Sequence, residues 1–355
     1  MSKLINFRSG SPDTMKQVSK TKIIEADTVG YAPTRRTLCA GIAATLVLPF
    51  LNKRTRASSL DQLVLYGPPA GPSITLAYAV GKGLLRNVAD KVEFKVWRTP
   101  DEMRAGLASG SMQAVIMPTT AAANLHTRGL GLKLASVMTN GLLYMVSRND
   151  KIAAFADLEG QSVTVPFPND TPELVFDAAL AHHRMTGKVK VERAGTPIEA
   201  VQMLLAGRID TALLPEPAVS AAIFKASTGG QALHRVIDMQ KEWGKVTAST
   251  PVMPQAGLAL TQNFLDDHPE QATALLAGLA RAAVEVNANP AAAASQAASA
   301  LELPWPVLEA SIPYSNLVAI AARDARGPIE TLLKAVARRH PDMVGGRMPD
   351  ASLYL

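Results

Sequence analysis

The 355-residue sequence has a single cysteine, Cys39, which precedes an apolar run at residues 40–51. Beyond residue 57 there is no thiol at all, which excludes disulfides, thiolate metal sites and cysteine nucleophiles from that part of the chain. A lipid-carrying cysteine would follow an apolar run rather than precede it, so Cys39 is not read as a lipoprotein site. Metal-ligand spacing is missing too. The six histidines (His126, His182, His183, His234, His268 and His340) form no His-x-x-x-His pair, and His182 and His183 are adjacent, so they point to different sides of a helix. No Gly-x-Ser-x-Gly elbow or Gly-x-x-x-x-Gly-Lys phosphate loop occurs. No catalytic residue, metal ligand or cofactor is assigned.

Long apolar runs are also lacking. The stretch at 40–51 is far shorter than the roughly 20 residues a membrane-spanning helix needs, but it suits the core of an export signal. Ahead of it stands Thr34-Arg35-Arg36-Thr37-Leu38, and after it Lys53, Arg54, Arg56 and Ala57. Paired arginines match a twin-arginine leader, and positive charge after the apolar run opposes the ordinary secretory route. Residues 1–57 are therefore expected to be an export leader cut near Ala57. An uncleaved membrane anchor is the alternative. The leader also accounts for the net charge of +6, because it holds ten of the 36 basic residues and three of the 30 acidic ones. The remainder is nearly neutral, which argues against a nucleic-acid partner.

What the body does contain is a repeat. Thr99-Pro100-Asp101-Glu102 and Thr196-Pro197-Ile198-Glu199 each combine a Thr cap, Pro at the first helical position and Glu three residues after the cap. The same 97-residue shift places Leu107 on Leu204, Gly110 on Gly207, Met117 on Leu214 and Pro118 on Pro215. Each copy follows its helix with a short apolar strand ending at proline, then a second helix. Upstream, Leu63–Tyr66 leads into a Gly/Pro loop as Ser162–Val165 leads into Pro166–Pro172, and second strands follow at Val92–Trp97 and Val189–Glu192. Each half reads strand–helix–strand–helix–strand–helix, the alternation of an α/β sheet. Two crossings are expected, at Leu142–Ser147 and Ala256–Leu260. The first lobe is then 58–147 plus 252–355, with a helical remainder from Asn263, and the second is 148–251. The Ala-rich Ala291–Ala300 is read as a helix surface.

Gly207-Arg208-Ile209-Asp210 before an apolar strand, then Leu214-Pro215-Glu216-Pro217-Ala218, resembles the periplasmic solute-binding proteins of the nitrate/sulfonate/taurine ABC-importer family. So do Asp157–Val163, His268-Pro269-Glu270 and Asn289-Pro290. The resemblance covers nearly all of residues 60–325. It implies a type II-like, two-lobed periplasmic-binding-protein fold, each lobe a mainly parallel sheet flanked by helices. It also implies a monomer that captures a small organic solute or oxyanion in the cleft and delivers it to a permease driven by a cytoplasmic ATPase. The twin-arginine export machinery would be a further partner. Two other functions stand beside this one: an enzyme on the same fold acting on a small metabolite, and a receptor subunit that binds its ligand to signal. The yeast-type pyrimidine synthases related to this fold carry a cysteine-rich motif that this body lacks.

In open α/β sheets ligands bind beyond the carboxyl ends of the strands, beside helix N-termini. That rule selects Gly67, Pro68, Ser73, Thr119, Thr120, Asn124 and Asn140 from the first lobe. From the second it selects Asn169, Asp170, Thr171 and Glu216, with Gln255 at the return crossing. Duller roles compete: Asp170 or Thr171 as a helix cap, Gly67 and the prolines as turn formers, Glu216 as a solvent-facing carboxylate. Trp97 and Trp243 could stack on a flat ring or pack the core or hinge. These loops hold no Lys or Arg. Arg98 and Arg193, which follow the second strands, could serve an anion or be solvated. The balance leans toward a neutral or partly cationic ligand with hydrogen-bond donors, such as a nitrogen heterocycle or an amine.

A reporter fused to residues 1–60 should reach the periplasm with Arg35-Arg36 intact and stay inside the cell when both are lysine; export of the double variant removes the twin-arginine reading.

Overall fold

In a computed structural model describing residues 60–355, both Thr-Pro-x-Glu segments start helices. The leader expected at 1–57 lies outside the described residues. Thr99 accepts from Glu102 N at 3.2 Å and Thr196 from Glu199 N at 3.1 Å. Each glutamate reaches back to the amide before the cap: Glu102 accepts from Arg98 N and Glu199 from Gly195 N, both at 2.7 Å. First-turn amides that no helical carbonyl can satisfy are thereby paired.

The first half contains β1 (Leu60–Gly67), α1 (Pro72–Gly81), β2 (Ala89–Val96), α2 (Pro100–Ala108), β3 (Ala114–Pro118), α3 (Thr119–Thr127) and β4 (Leu132–Thr139). After β5 (Leu143–Ser147), the second half repeats the series with β6 (Ser162–Pro166), α4 (Thr171–His182), β7 (Lys190–Ala194), α5 (Pro197–Leu205), β8 (Thr211–Pro215), α6 (Ala218–Thr228), β9 (His234–Asp238) and α7 (Met239–Thr247). The chain returns through β10 (Ala256–Thr261), α8 (Gln262–Asp267), α9 (Pro269–Ala288), α10 (Pro290–Leu301), α11 (Trp305–Ser311), β11 (Leu317–Ala321) and α12 (Arg326–Ala337).

Two sheets result, in the orders β11-β4-β10-β3-β1-β2 and β7-β6-β8-β5-β9. They are mixed rather than mainly parallel, and the reason is the crossing. β4 leaves the first sheet at the edge where β3 ends, so β5 enters the second sheet at its matching edge and must run backwards. Leu143 accordingly faces Pro215 in antiparallel register, and on the return Ala256 faces Pro118 in the same way. The two prolines are repeat mates. Leu143–Ser147, expected to end the first lobe, therefore belongs to the second sheet.

Three buried apolar clusters hold the layers. One joins α1, α9 and α10 to a face of the first sheet through Ile74, Leu76, Leu279, Ala293 and Ala297. Ala293, Ala294 and Ala297 are fully buried while Ala291, Ser295, Gln296, Ser299 and Ala300 are exposed, so the Ala-rich helix has one surface face and one packing face. Small side chains there let α10 lie close to α1, where a Cβ on Gly81 would meet Gln296 at 2.1 Å. A second cluster runs from the opposite face through α12 to α4 and Trp243; the third packs α5 and α6 on β8. The remainder beyond Asn263 is not wholly helical, since β11 pairs with β4 at the sheet edge. Nor does it touch the first half alone: Arg339 donates to Asp177 O of α4 at 2.7 Å.

Thr99→Ala and Thr196→Ala should each lower the unfolding free energy by about 1 kcal/mol, nearly additively because the caps sit beside different sheets. Denaturant unfolding of both single variants and the double variant checks this.

Candidate functional site

The strand-ending prolines place equivalent residues at the crossings. Thr119, which follows Pro118, donates its amide to Gln255 O at 3.1 Å, and Glu216, which follows Pro215, donates its amide to Leu142 O at 2.8 Å. Each acceptor immediately precedes a crossing strand. The crossings are tied to each other by Leu142 N on Gln255 Oε1 at 3.2 Å and Met253 N on Asn140 O at 3.0 Å. Thr119 Oγ1 donates to Pro254 O at 2.6 Å. Thr119, Asn140 and Gln255 thus form the hinge, with the Thr119 hydroxyl and the Gln255 carbonyl already taken up by the backbone.

Two more bridges start from the first loop of each repeat copy. The β1–α1 loop reaches the second half through Gly71 N on Glu216 O at 3.1 Å. The β6–α4 loop reaches the first half through a buried hydrogen bond between the Thr120 and Thr171 hydroxyls, 2.8 Å apart. Both loops span four residues from strand end to helix cap, Gly67 to Gly71 and Pro166 to Asp170. Gly67, Pro68 and Ser73 shape the first loop. Ser73 is buried and donates to Pro68 O at 2.5 Å, and a Cβ on Gly67 would fall 2.3 Å from its hydroxyl.

Asp170 caps α4, accepting Thr171 N at 2.6 Å and Thr171 Oγ1 at 3.2 Å. Burial pushes its carboxyl above the usual range, against the opposing pull of the Thr171 hydrogen bonds. Asn169 adopts φ +59° and donates its amide to Glu173 Oε2 at 2.6 Å. Arg193 is held by Glu173 at 2.7 Å and Arg98 by Glu302 at 3.0 Å, so neither is unpaired. Asn124 departs from the expected site: its amide donates to Asp342 O at 2.6 Å in the C-terminal segment. Five residues into α3, it no longer shares the strand-end edge. The tryptophans pack the core, Trp97 donating to Ile116 O at 2.9 Å and Trp243 being 2% exposed.

Glu216 is neither solvent-facing nor open to a ligand. It is fully buried, paired with Arg235, and accepts Ser220 N at 3.1 Å. Burial raises its carboxyl pKa, opposed by Arg235 and Ser220. Arg235 lies 3.5 Å from the Tyr314 ring centroid, a cation–π contact that ties β9 to the returning segment, and 5.1 Å from that of Tyr144 on β5 of its own sheet. Tyr144 donates to Tyr314 O at 2.9 Å, and burial first, then Asp238, pushes its phenol to about 12, so it remains a neutral donor. Arg235, Tyr144 and Tyr314 were missed in the sequence, since a short strand and a one-turn helix carry little local signal. The repeat could have marked Glu216, as the mate of hinge-forming Thr119.

Arg235→Met should destabilise the protein by about 3–5 kcal/mol, because it leaves a buried carboxylate without its cation. Removing the cation raises the Glu216 pKa in the folded state still further, so folding takes up a proton. The deficit should therefore shrink as the pH falls from about 8 to about 5. Thermal unfolding across that range reads the sign, and a deficit independent of pH refutes it.

Among the described residues no group of three or more His, Cys, Asp or Glu could hold a metal ion, and no helix is long and apolar enough to cross a membrane. Comparison with curated proteins returns no match. Among solved structures the chain is similar to an ABC transporter from Parabacteroides distasonis, at 24% identity and TM-score 0.69 over 84% of this chain and 99% of that one. It is also similar to the periplasmic aliphatic sulphonate binding protein SsuA from Escherichia coli (17%, TM-score 0.63, 84% and 94%) and to the periplasmic nitrate-binding protein NrtA from Synechocystis PCC 6803 (15%, 0.57, 71% and 70%). These likenesses establish a two-lobed fold of two mixed sheets flanked by helices, as in periplasmic binding proteins. The model of the NMT1-like family matches residues 75–302, and the chain belongs to that family.

Proposed function

We propose that this protein is the periplasmic substrate-binding component of an ABC importer, which captures a small solute between its lobes and hands it to a membrane permease. One observation carries the reading: the contacts at the crossings obey the internal repeat, and the first loop of each copy reaches the opposite half. Thr119 and Glu216 play equivalent parts at the crossings, and the two four-residue loops touch opposite lobes. A pair of lobes connected by two adjacent crossings, with polar bridges between their strand-end loops, is suited to open and close on a ligand. The sulphonate- and nitrate-binding proteins among the structural neighbours share that architecture.

Residues 1–57 act in this proposal as a twin-arginine leader cleaved near Ala57, and the exported protein works as a monomer without catalysis. The lobe boundaries fall within 140–142 and 248–255, the segments joining the two sheets. Thr120, Asn169, Asp170 and Thr171, with the loop from Gly67 to Gly71, surround the ligand. Ser73, Thr119, Gln255 and Glu216 hold the frame, and Asn140 joins the crossings.

A thermal-shift screen of the full chain against nitrate, sulfonates, pyrimidines, amines and aromatic acids should find a stabilising solute. At 100 times its Kd such a solute adds about 2.7 kcal/mol. Turnover of the bound solute with release of product would falsify the carrier reading.

A further inference from the structure

A cavity of about 560 Å³ lies between α4, the start of β7 and the end of α12. That size is within the roughly 300–1,000 Å³ of small-molecule sites. It sits apart from the loops that join the two halves. Those loops leave the carboxyl ends of the strands, whereas Val189 and Val191 on the cavity lining stand at the amino end of β7. Both halves of the molecule contribute. Arg338, Arg339 and His340 come from the returning segment, and every other lining residue comes from the second repeat copy.

The lining has an apolar floor and a charged rim. Leu180 and Val189 are buried and Val191 is half-buried. Around them two guanidiniums and an imidazole share the lining with a single carboxylate, Asp177. Neighbouring charges are matched elsewhere: Lys188 with Glu159 at 3.1 Å, Lys190 with Glu192 at 2.8 Å and Arg193 with Glu173 at 2.7 Å. Arg339 donates to Asp177 O at 2.7 Å, and Arg339, His340 and Arg193 all act on the Asp177 charge. Arg338 makes no side-chain hydrogen bond or ion pair among the described residues, and neither does the His340 imidazole. The rim therefore carries positive charge in excess. An exposed arginine at a helix end is ordinarily solvated and favoured there by the helix dipole. The apolar floor in the same cavity is what a solvated arginine does not explain, since water covers such a surface poorly.

We propose that this cavity is a second binding site, for a small aliphatic carboxylate held between the returning segment and the second lobe. Its carboxylate pairs with the Arg338 guanidinium, whose planar fork suits two parallel hydrogen bonds, and its hydrocarbon covers Leu180, Val189 and Val191. An inorganic anion would leave the floor bare, and an amine of the same shape would meet a rim of like charge. The site does not depend on what the cleft binds. Because its two walls belong to different halves of the chain, an occupant ties the returning segment to α4 and β7 at the edge of the lobe away from the crossings.

Calorimetry on the full chain tests this with three probes: 4-methylpentanoate, 3-methylbutylamine as a similar hydrocarbon with the opposite charge, and inorganic phosphate as an anion without hydrocarbon. 4-Methylpentanoate should bind about tenfold or more tightly than either of the others. Arg338→Gln should weaken it about tenfold. The melting temperature of the unliganded variant should stay unchanged, because the Arg338 side chain is exposed and holds nothing in the fold. Thr186→Trp, at an exposed position on the lining, should fill the cavity and abolish binding. Asp170→Asn, at the strand-end edge of the same lobe, should leave the affinity unaltered. Weakening by Asp170→Asn without weakening by Arg338→Gln puts the carboxylate among the strand-end loops and overturns the second site. Equal or tighter binding of the amine or of phosphate overturns the ligand class, and absence of any heat with 4-methylpentanoate overturns the proposal as a whole. None of these outcomes bears on the carrier reading, which the thermal-shift screen tests separately.

Discussion

Each sheet receives one strand from the chain that has just left the other, and the rest of the molecule depends on that exchange. Because the chain crosses from one carboxyl edge to the other, the incoming strand must run backwards, with Leu143 against Pro215 and Ala256 against Pro118. The two edges are thereby brought together, and with them the helix N-termini that make strand ends good places for ligands. The paired crossings and the loops beside them follow from this single geometric requirement.

Packing sets the crossings apart from the rest of the molecule. Away from the crossings the sheets are covered by fully buried Leu, Ile, Val and Ala, whose close packing resists deformation. The bridges at the strand ends are polar, Gly71 on Glu216, Thr120 with Thr171 and Tyr144 on Tyr314, whereas α12 meets α4 through buried apolar side chains. Net gains for such hydrogen bonds are about 0.5–1.5 kcal/mol each, small enough for ligand binding to compete with them. The buried Glu216–Arg235 pair is of another kind. It fixes the strand-end carboxylate inside the second lobe and uses the same guanidinium to stack on Tyr314, so one charge serves both the interior and the closure contact.

Repetition also separates framework from recognition. Where the two halves play equivalent parts, as at Thr119 and Glu216, the residues build the hinge. Where they differ, as at Pro68 against Phe167 and Gly71 against Asp170, the chemistry of the two loops is asymmetric.

The sequence by itself determined the repeat, the two capped helices, the strand-ending prolines and the crossing strands. These rest on short-range chemistry: a Thr hydroxyl and a Glu carboxylate reach only a few residues along the chain. Asp170 as a cap and the tryptophans as core were legible among their alternatives for the same reason. Tertiary structure decided the rest. The antiparallel insertion of β5 and β10, the partner of Glu216, the turning of Asn124 toward Asp342 and the burial of the Ala-rich helix against α1 all join residues far apart in sequence. Local pattern is silent about such pairings, because which distant group meets a side chain is settled only when the sheets and their covering helices pack.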